Sequence, residues 1–482
     1  MHISTILRIL GILLMLFSLT LFAPLGVALF TGEATVKGFV GALGITFLAG
    51  FVIWLPARNS RHELRTRDGF LITAMSWTVL GLFGALPFSL YEGLALSPTD
   101  AIFESISGLT TTGATVITGL DGLPKSLLYY RQQLQWSGGI GIVVVAVAIL
   151  PMLGIGGMQL YQAETPGPSR DSKLTPRITE TAKALFFIYL ALTALCALAY
   201  GLAGMSAFDA VCHAFSTIAI GGFSTHDASM GFYENPYILL VCSAFMTISA
   251  INFGLHFTAF RRRGPRAYAN DSETVFFGGV LCLCIVVTCV MLILTHEYSA
   301  GESVIHGIFQ AISITTTTGF TTRDFAHWPS FLPLMLLIFS FMGGCAGSTG
   351  GGIKAMRVML IYKQGLRELK QLVHPNAVIP LKVGTRRVEA KVVSAVWSFF
   401  AVYTAVFLVL LIMLTATGLD TETAFSAVAA SLNNLGPGLG DVSDHYGDIS
   451  DPAKWLLCVA MLLGRLEVFT VLVLLTPAFW RP

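Results

Sequence analysis

Four short stretches of the chain end in glycine after a run of small or hydroxyl-bearing residues, and the chemistry they offer is that of backbone oxygens. They run from Asp100 to Gly113, Asp209 to Gly222, His306 to Gly319 and Thr423 to Gly436; the glycine stands 13 residues after the first residue in every case. They align without gaps, and the first three carry serine at the eighth position: Ser107, Ser216 and Ser313. The closing tripeptides are Thr111-Thr112-Gly113, Ile220-Gly221-Gly222, Thr317-Thr318-Gly319 and Asn434-Leu435-Gly436. Glycine admits φ > 0 and lets backbones approach closely. Four such loops around one axis can replace the water around a dehydrated cation with carbonyl oxygens, the route by which K⁺ is selected.

Something must hold these loops at membrane depth. Each stretch has only about 10–12 helix-compatible residues, against the ~20 needed to span a bilayer. That length predicts a half-helix that enters and returns. Irregular backbone survives there only if protein buries it or water lines it. The half-helix C-termini, partly negative, favour a cation. Each stretch lies between two long apolar runs, which predicts four repeated units.

Composition agrees. Of 482 residues 54% are hydrophobic and 12% charged, against ~25% charged in globular domains. A soluble domain and a disordered chain are both excluded. The balance of 29 basic and 27 acidic residues gives no support for binding nucleic acid. The apolar residues suffice for about ten spans. The run from Ile9 to Phe30 is too long for a signal peptide, so residues 1–60 read as a retained helical pair. The four units then occupy 68–165, 180–262, 273–366 and 388–482.

Basic residues cluster at Arg58–Arg67, Arg170–Lys183, Arg261–Arg266 and Lys354–Lys391, with Arg8 and Arg481 beside them. The positive-inside bias puts these segments and the N-terminus in the cytoplasm. The opposite loops lean acidic, with Asp121, Asp227, Glu234, Asp324, Asp441, Asp444, Asp448 and Asp451. An acidic outer mouth concentrates cations. The few basic residues on that side include Lys125, Arg131, Arg323 and Lys454, read as loop residues.

The third unit holds Gly343-Gly344-Cys345-Ala346-Gly347-Ser348-Thr349-Gly350-Gly351-Gly352. At ~1 kcal/mol per glycine in a helix, this run predicts a break. An unwound loop beneath the ring can block a pore and move. Arg465 sits inside an apolar run, where it needs acceptors; carbonyls of the glycine-rich loop are the expected partners. Lys354 and Arg357 are expected to snorkel to the cytoplasmic interface. Glu467, two positions from Arg465, points elsewhere.

Other motifs fail. The eight cysteines form no CxxC and read as buried thiols. The ten histidines form no metal pattern and read as interfacial or loop residues. The Gly347–Lys354 run misplaces the lysine of a phosphate loop and follows no strand. Gly438-Leu439-Gly440-Asp441 resembles an intramembrane aspartyl protease motif, but no second mid-helix Asp exists. No enzyme activity and no cofactor in this chain are expected.

On these residues the chain resembles the Trk/Ktr/HKT superfamily of potassium transporters, most closely the bacterial TrkH family, over essentially its whole length. The resemblance implies an all-α polytopic membrane protein, an N-terminal helix pair plus four M1–P-loop–M2 repeats in pseudo-fourfold arrangement around a central pore. It makes Gly113, Gly222, Gly319 and Gly436 the filter glycines, with K⁺ at the residues of the four tripeptides. It makes the loop with Gly343, Gly344, Gly347, Gly350, Gly351 and Gly352 an intramembrane gate. It also implies a homodimer in membrane lipid at the bacterial inner membrane and a cytosolic, nucleotide-binding TrkA-like regulatory subunit. The expected function is K⁺ uptake down the electrochemical gradient. The alternative is a cation–proton symporter with alternating access, against which basic clusters after every unit argue.

Overall fold

The computed structural model describes residues 2–60, 65–144 and 174–481. The end of the first expected unit, residues 145–165, and the basic residues Arg61, Arg170 and Lys173 lie outside the described residues. The described chain is mainly helical, with one two-stranded hairpin pairing Lys382–Val383 with Arg386–Arg387.

Among the described residues, six helices are long and apolar enough to cross a bilayer: Ile3–Thr31, Val36–Ala57, Arg67–Ser89, Ala182–Leu202, Ser272–Leu294 and Ala390–Thr415. Only 28–39% of each apolar window is buried within the protein. Helices apolar all round with most of that surface facing outward belong in lipid. Two further pairs form broken spans: Pro236–Ser249 with Phe253–Arg261, bent by 92°, and Asp451–Arg465 with Phe469–Leu475, bent by 114°. The chain is a multi-pass membrane protein.

Four short helices lie among these spans: Pro98–Leu109, Ala207–Ala219, Ala300–Thr315 and Thr421–Leu432. Their N-termini are built alike. Ser97, Ser206, Ser299 and Asp420 accept from the backbone N–H three residues on, which satisfies a donor that the helix cannot. The third helix has 16 residues, not the expected 10–12. Its cap, Ser299, pairs with Glu302 in a capping box and begins the helix one turn before the point where the other three begin. All four are deeply packed, with Phe103, Ala214, Phe309 and Ala427 inaccessible or nearly so.

Six of the eight cysteines are buried and free, while Cys282 is exposed and Cys289 intermediate. Two histidines depart from the expected interfacial role. His213 is fully buried in the second short helix, and His256 is 9% exposed. His213 accepts burial because both ring nitrogens are engaged, Nδ1 with the Asp209 carbonyl and Nε2 with Ser224 Oγ.

Candidate ion-conduction site

The four short helices all end the same way. The residue two before the terminal glycine takes a left-handed conformation: Thr111 at φ 54°, Ile220 at 55°, Thr317 at 64° and Asn434 at 55°. The residue after it, Thr112, Gly221, Thr318 or Leu435, donates its N–H to the carbonyl of Ser107, Ser216, Ser313 or Ala430 at 2.7–2.9 Å. This is a Schellman closure, normally made with glycine in the left-handed place. Three of these positions are β-branched, for which positive φ is a true outlier and stores about 1–3 kcal/mol apiece. The terminal glycines follow at φ 84°, 80°, 83° and 102°.

These glycines meet. A Cβ at Gly113 would lie 2.1 Å from the Gly221 oxygen, and one at Gly222 would lie 2.2 Å from the Thr318 oxygen. At Gly319 it would meet the Leu435 oxygen at 2.0 Å, and at Gly436 the Thr112 oxygen at 2.7 Å. First touches second, second third, third fourth, and fourth first. The contacts close into a ring of four backbone strands that no side chain larger than hydrogen can enter at the glycine positions.

The residues just after the glycines, including Thr115, Ser224, Thr321 and Pro437, line a cavity of about 700 Å³ above the ring. Asp227, Asp324 and Asp444 stand among its walls, together with His226, His445 and Arg323. His226 lies 2.5 Å from Asp121; hydrogen bonding by this imidazole holds the Asp121 carboxyl below its ordinary range.

Side chains behind the strands fix them. Arg131 is a buried helical residue rather than a loop residue. Its Nε donates to Glu104 Oε1 at 2.8 Å, its Nη1 to the Ser224 carbonyl at 3.0 Å and its Nη2 to Thr115 Oγ1 at 3.0 Å. Glu104 in turn accepts from Val116 N–H at 3.0 Å. One ion pair thus ties the first strand to the second. Tyr446 donates its hydroxyl to the Gly436 carbonyl at 2.7 Å and its N–H to the Thr115 carbonyl at 2.8 Å, which ties the fourth strand to the first. Lys454, also buried in a helix, bonds Asp100 Oδ1 at 2.6 Å. Gln135 grips the second strand at three points. None of these supports stood out in the sequence, because they join separate elements of the fold, with partners 10 to 354 residues away.

Replacing Arg131 with methionine leaves the inaccessible Glu104 carboxylate without its cation. A loss of about 3–5 kcal/mol is expected, read as a lower melting temperature of the detergent-purified protein. Adding Glu104→Gln to Arg131→Met should recover part of that loss. A double variant no more stable than Arg131→Met would contradict this account.

The glycine-rich stretch lies on the other side of the ring. Between the helices Leu332–Ser340 and Ala355–Val373 the chain is non-helical. Gly351 N–H donates to Thr317 Oγ1 at 2.7 Å and Gly352 N–H to the Asn433 carbonyl at 3.0 Å. Thr349 Oγ1 donates to the Ile218 carbonyl at 2.9 Å. These partners all precede the ring glycines, whereas the residues that follow them face the cavity. Gly343, Gly347 and Gly352 sit at φ 63°, 74° and 75°. Gly343 packs so closely on Gly351 that a Cβ would fall 2.0 Å from its oxygen. Gly344 and Gly350 face each other, a Cβ on Gly350 meeting Gly344 N at 3.2 Å.

Arg465 is buried, and its Nη1 donates to the Thr349 carbonyl at 3.0 Å. The mid-membrane cation does find an acceptor in the glycine-rich loop. Lys354 and Arg357 do not snorkel. Lys354 Nζ turns back to the Gly350 carbonyl. Arg357 is 8% exposed, bonds Glu467 at 2.5 Å and lies 4.2 Å above the Phe399 ring. The reason is local: a loop carbonyl and one carboxylate accept from them within the protein. Asp441, of the protease-like motif, is exposed in a one-turn loop helix.

A multi-pass helical protein with short non-spanning helices converging on glycines under an acid-rimmed cavity belongs to the class of membrane transport proteins. Comparison with known proteins narrows this. The TrkH family model, described as cation transport protein, matches residues 36–481. The Trk system potassium uptake protein TrkH of Halomonas elongata is 58% identical over 481 residues, covering all of both chains. That of Escherichia coli K12 is 52% identical over 482 residues, again all of both. The crystal structure of the potassium transporter TrkH from Vibrio parahaemolyticus superposes with a TM-score of 0.93 at 54% identity, covering 100% of each chain. The chain belongs to the TrkH family. That family comprises transporters and not enzymes.

Proposed function

We propose that this chain conducts K⁺ inward across a bacterial inner membrane, with its N-terminus in the cytoplasm. Four M1–P-loop–M2 units form a pseudo-fourfold pore, and Thr111–Gly113, Ile220–Gly222, Thr317–Gly319 and Asn434–Gly436 are its filter. The closed cycle of glycine–carbonyl contacts carries this reading. It gives each quarter of the ring a strand whose oxygens lie against the next, beneath a cation-attracting mouth. Just below the ring, Thr111 Oγ1 and Asn434 Oδ1 are buried without partners among the described residues, and a dehydrating ion would find oxygens there.

Residues 343–352 act as the gate, held shut by Arg465. The gate's hydrogen bonds to the second short helix at Ile218, to the third strand at Thr317 and to the end of the fourth short helix at Asn433 support this role. The membrane potential supplies the driving force, about 2.3 kcal/mol per charge per 100 mV. The relatives' names refer to a Trk system. A cytosolic TrkA-like nucleotide-binding subunit docking on the basic segment 354–391, and a homodimer, complete the proposal.

Purified protein in liposomes tests it. K⁺ and Rb⁺ gradients should drive flux that reverses with voltage, Na⁺ should pass far less, and bilayer recordings should resolve unitary current steps. Flux tied stoichiometrically to protons, without such steps, would replace the channel with the symporter.

A further inference from the structure

The ring is not chemically fourfold. Its contact oxygens belong to Thr112, Gly221, Thr318 and Leu435. Gly221's oxygen accepts a hydrogen bond from Gln135 Nε2 at 2.6 Å. Among the described residues, no hydrogen bond reaches the oxygens of Thr112, Thr318 or Leu435. The Gln135 amide does more. Its Oε1 accepts from Ser216 Oγ at 2.7 Å and from Phe223 N–H at 3.1 Å. One inaccessible side chain therefore holds the second strand before, at and after its paired glycines. The equivalent serines have other fates: Ser313 Oγ donates to its own Phe320 carbonyl at 2.6 Å, and Ser107 Oγ has no partner among the described residues. Gly221 itself is glycine to make room, since a Cβ there would lie 2.4 Å from the Gln135 amide.

We propose that Gln135 is a selectivity-setting positioning residue: by clamping the Ser216–Phe223 strand and donating to the Gly221 oxygen, it fixes the ring's width and weakens one of its four oxygens as a cation ligand. The proposal rests on the filter reading above. Two effects act together. A carbonyl that already accepts an N–H offers less electron density to a cation, and a partial positive charge stands behind it. A clamped strand also cannot close in around a smaller ion. Selection of K⁺ over Na⁺ depends on cavity size and on the field strength of the oxygens. A stronger and more mobile Gly221 oxygen moves both in favour of Na⁺. Gln135 lies on the helix Lys125–Val144, behind the strand, so this is an action through Gly221 and not contact with the ion.

The test uses the full-length protein in planar bilayers, with K⁺/Na⁺ permeability ratios from reversal potentials. Gln135→Leu removes all three contacts at similar volume. Its ratio should fall about tenfold, the scale of one buried hydrogen bond. Ser216→Ala, which loses one contact and keeps the Gly221 bond, should fall less. Gln135→Glu, which retains both acceptor contacts, should keep more of the ratio than Gln135→Leu. A merely structural role would lower the yield and melting temperature in step with the current and leave the ratio alone. An unchanged ratio in Gln135→Leu, while Gly113→Ser alters it, overturns the role of Gln135 and leaves the filter standing. An unchanged ratio in both overturns the filter itself. Should Gln135→Leu fail to fold, the same ratio in Gln135→Glu and Ser216→Ala decides: values equal to the unmodified protein in both overturn the proposal.

Discussion

Gly113→Ser is expected to lower K⁺ over Na⁺ discrimination by at least about tenfold. Two independent terms set this size. Gly113 stands at φ 84°, where an L-residue costs about 1–2 kcal/mol. Its new Cβ would also fall 2.1 Å from the Gly221 oxygen, and the obstacle is backbone, with no flexible end to swing aside. Relief requires moving the first strand, the second, or both. Since 1.4 kcal/mol is a tenfold change in an equilibrium, a small displacement of one oxygen erases the preference. Gly122→Ser is the control. Gly122 has no atom within 4 Å of its would-be Cβ and no positive φ, so its permeability ratio should match the unmodified protein. Reversal potentials under opposed K⁺ and Na⁺ gradients give the comparison. An unaltered ratio in Gly113→Ser removes this glycine from the conduction path.

Deleting residues 348–351 is expected to raise basal Rb⁺ tracer uptake by about tenfold in liposomes holding this chain alone. The deletion removes the Thr349 bond to the Ile218 carbonyl, the Gly351 bond to Thr317 and the carbonyl that Arg465 holds. Each buried bond is worth about 1 kcal/mol net, and two suffice for tenfold. Arg465→Gln, which removes the charge and its fixed hydrogen bond, should move uptake the same way by a smaller factor. A monodisperse deletion variant with unchanged uptake would mean that the loop does not limit flux.

The membrane class and the positions of the short helices were legible because they depend on local facts. Apolar run lengths, the shared glycine register and the serine at the eighth position each sit within a single stretch of chain. Arg465 was legible for a different reason: a buried guanidinium leaves few choices of acceptor, and a glycine-rich loop exposes its carbonyls. Illegible were the pairings across the fold. Nothing near Arg357 announces Glu467, 110 residues away, so the expectation of a snorkelling arginine followed from its neighbours and failed. Arg131 read as an outer-loop cation because its carboxylate, Glu104, belongs to another helix. His213 read as interfacial although both its nitrogens have buried partners. The left-handed Thr111, Ile220 and Thr317 run against local propensity. Only the packed ring around them accounts for their backbone, and no sequence pattern signals it.

The four strands of the ring belong to one polypeptide and carry Thr, Ile, Thr and Asn at the corresponding left-handed place. In an assembly of four identical chains, any point mutation strikes every quadrant together. Here a single codon alters one quadrant and spares three. If the ring is the filter proposed above, natural variation can therefore adjust ion preference in quarter-doses, and each quadrant is free to acquire its own specialisation while the others keep the passage working.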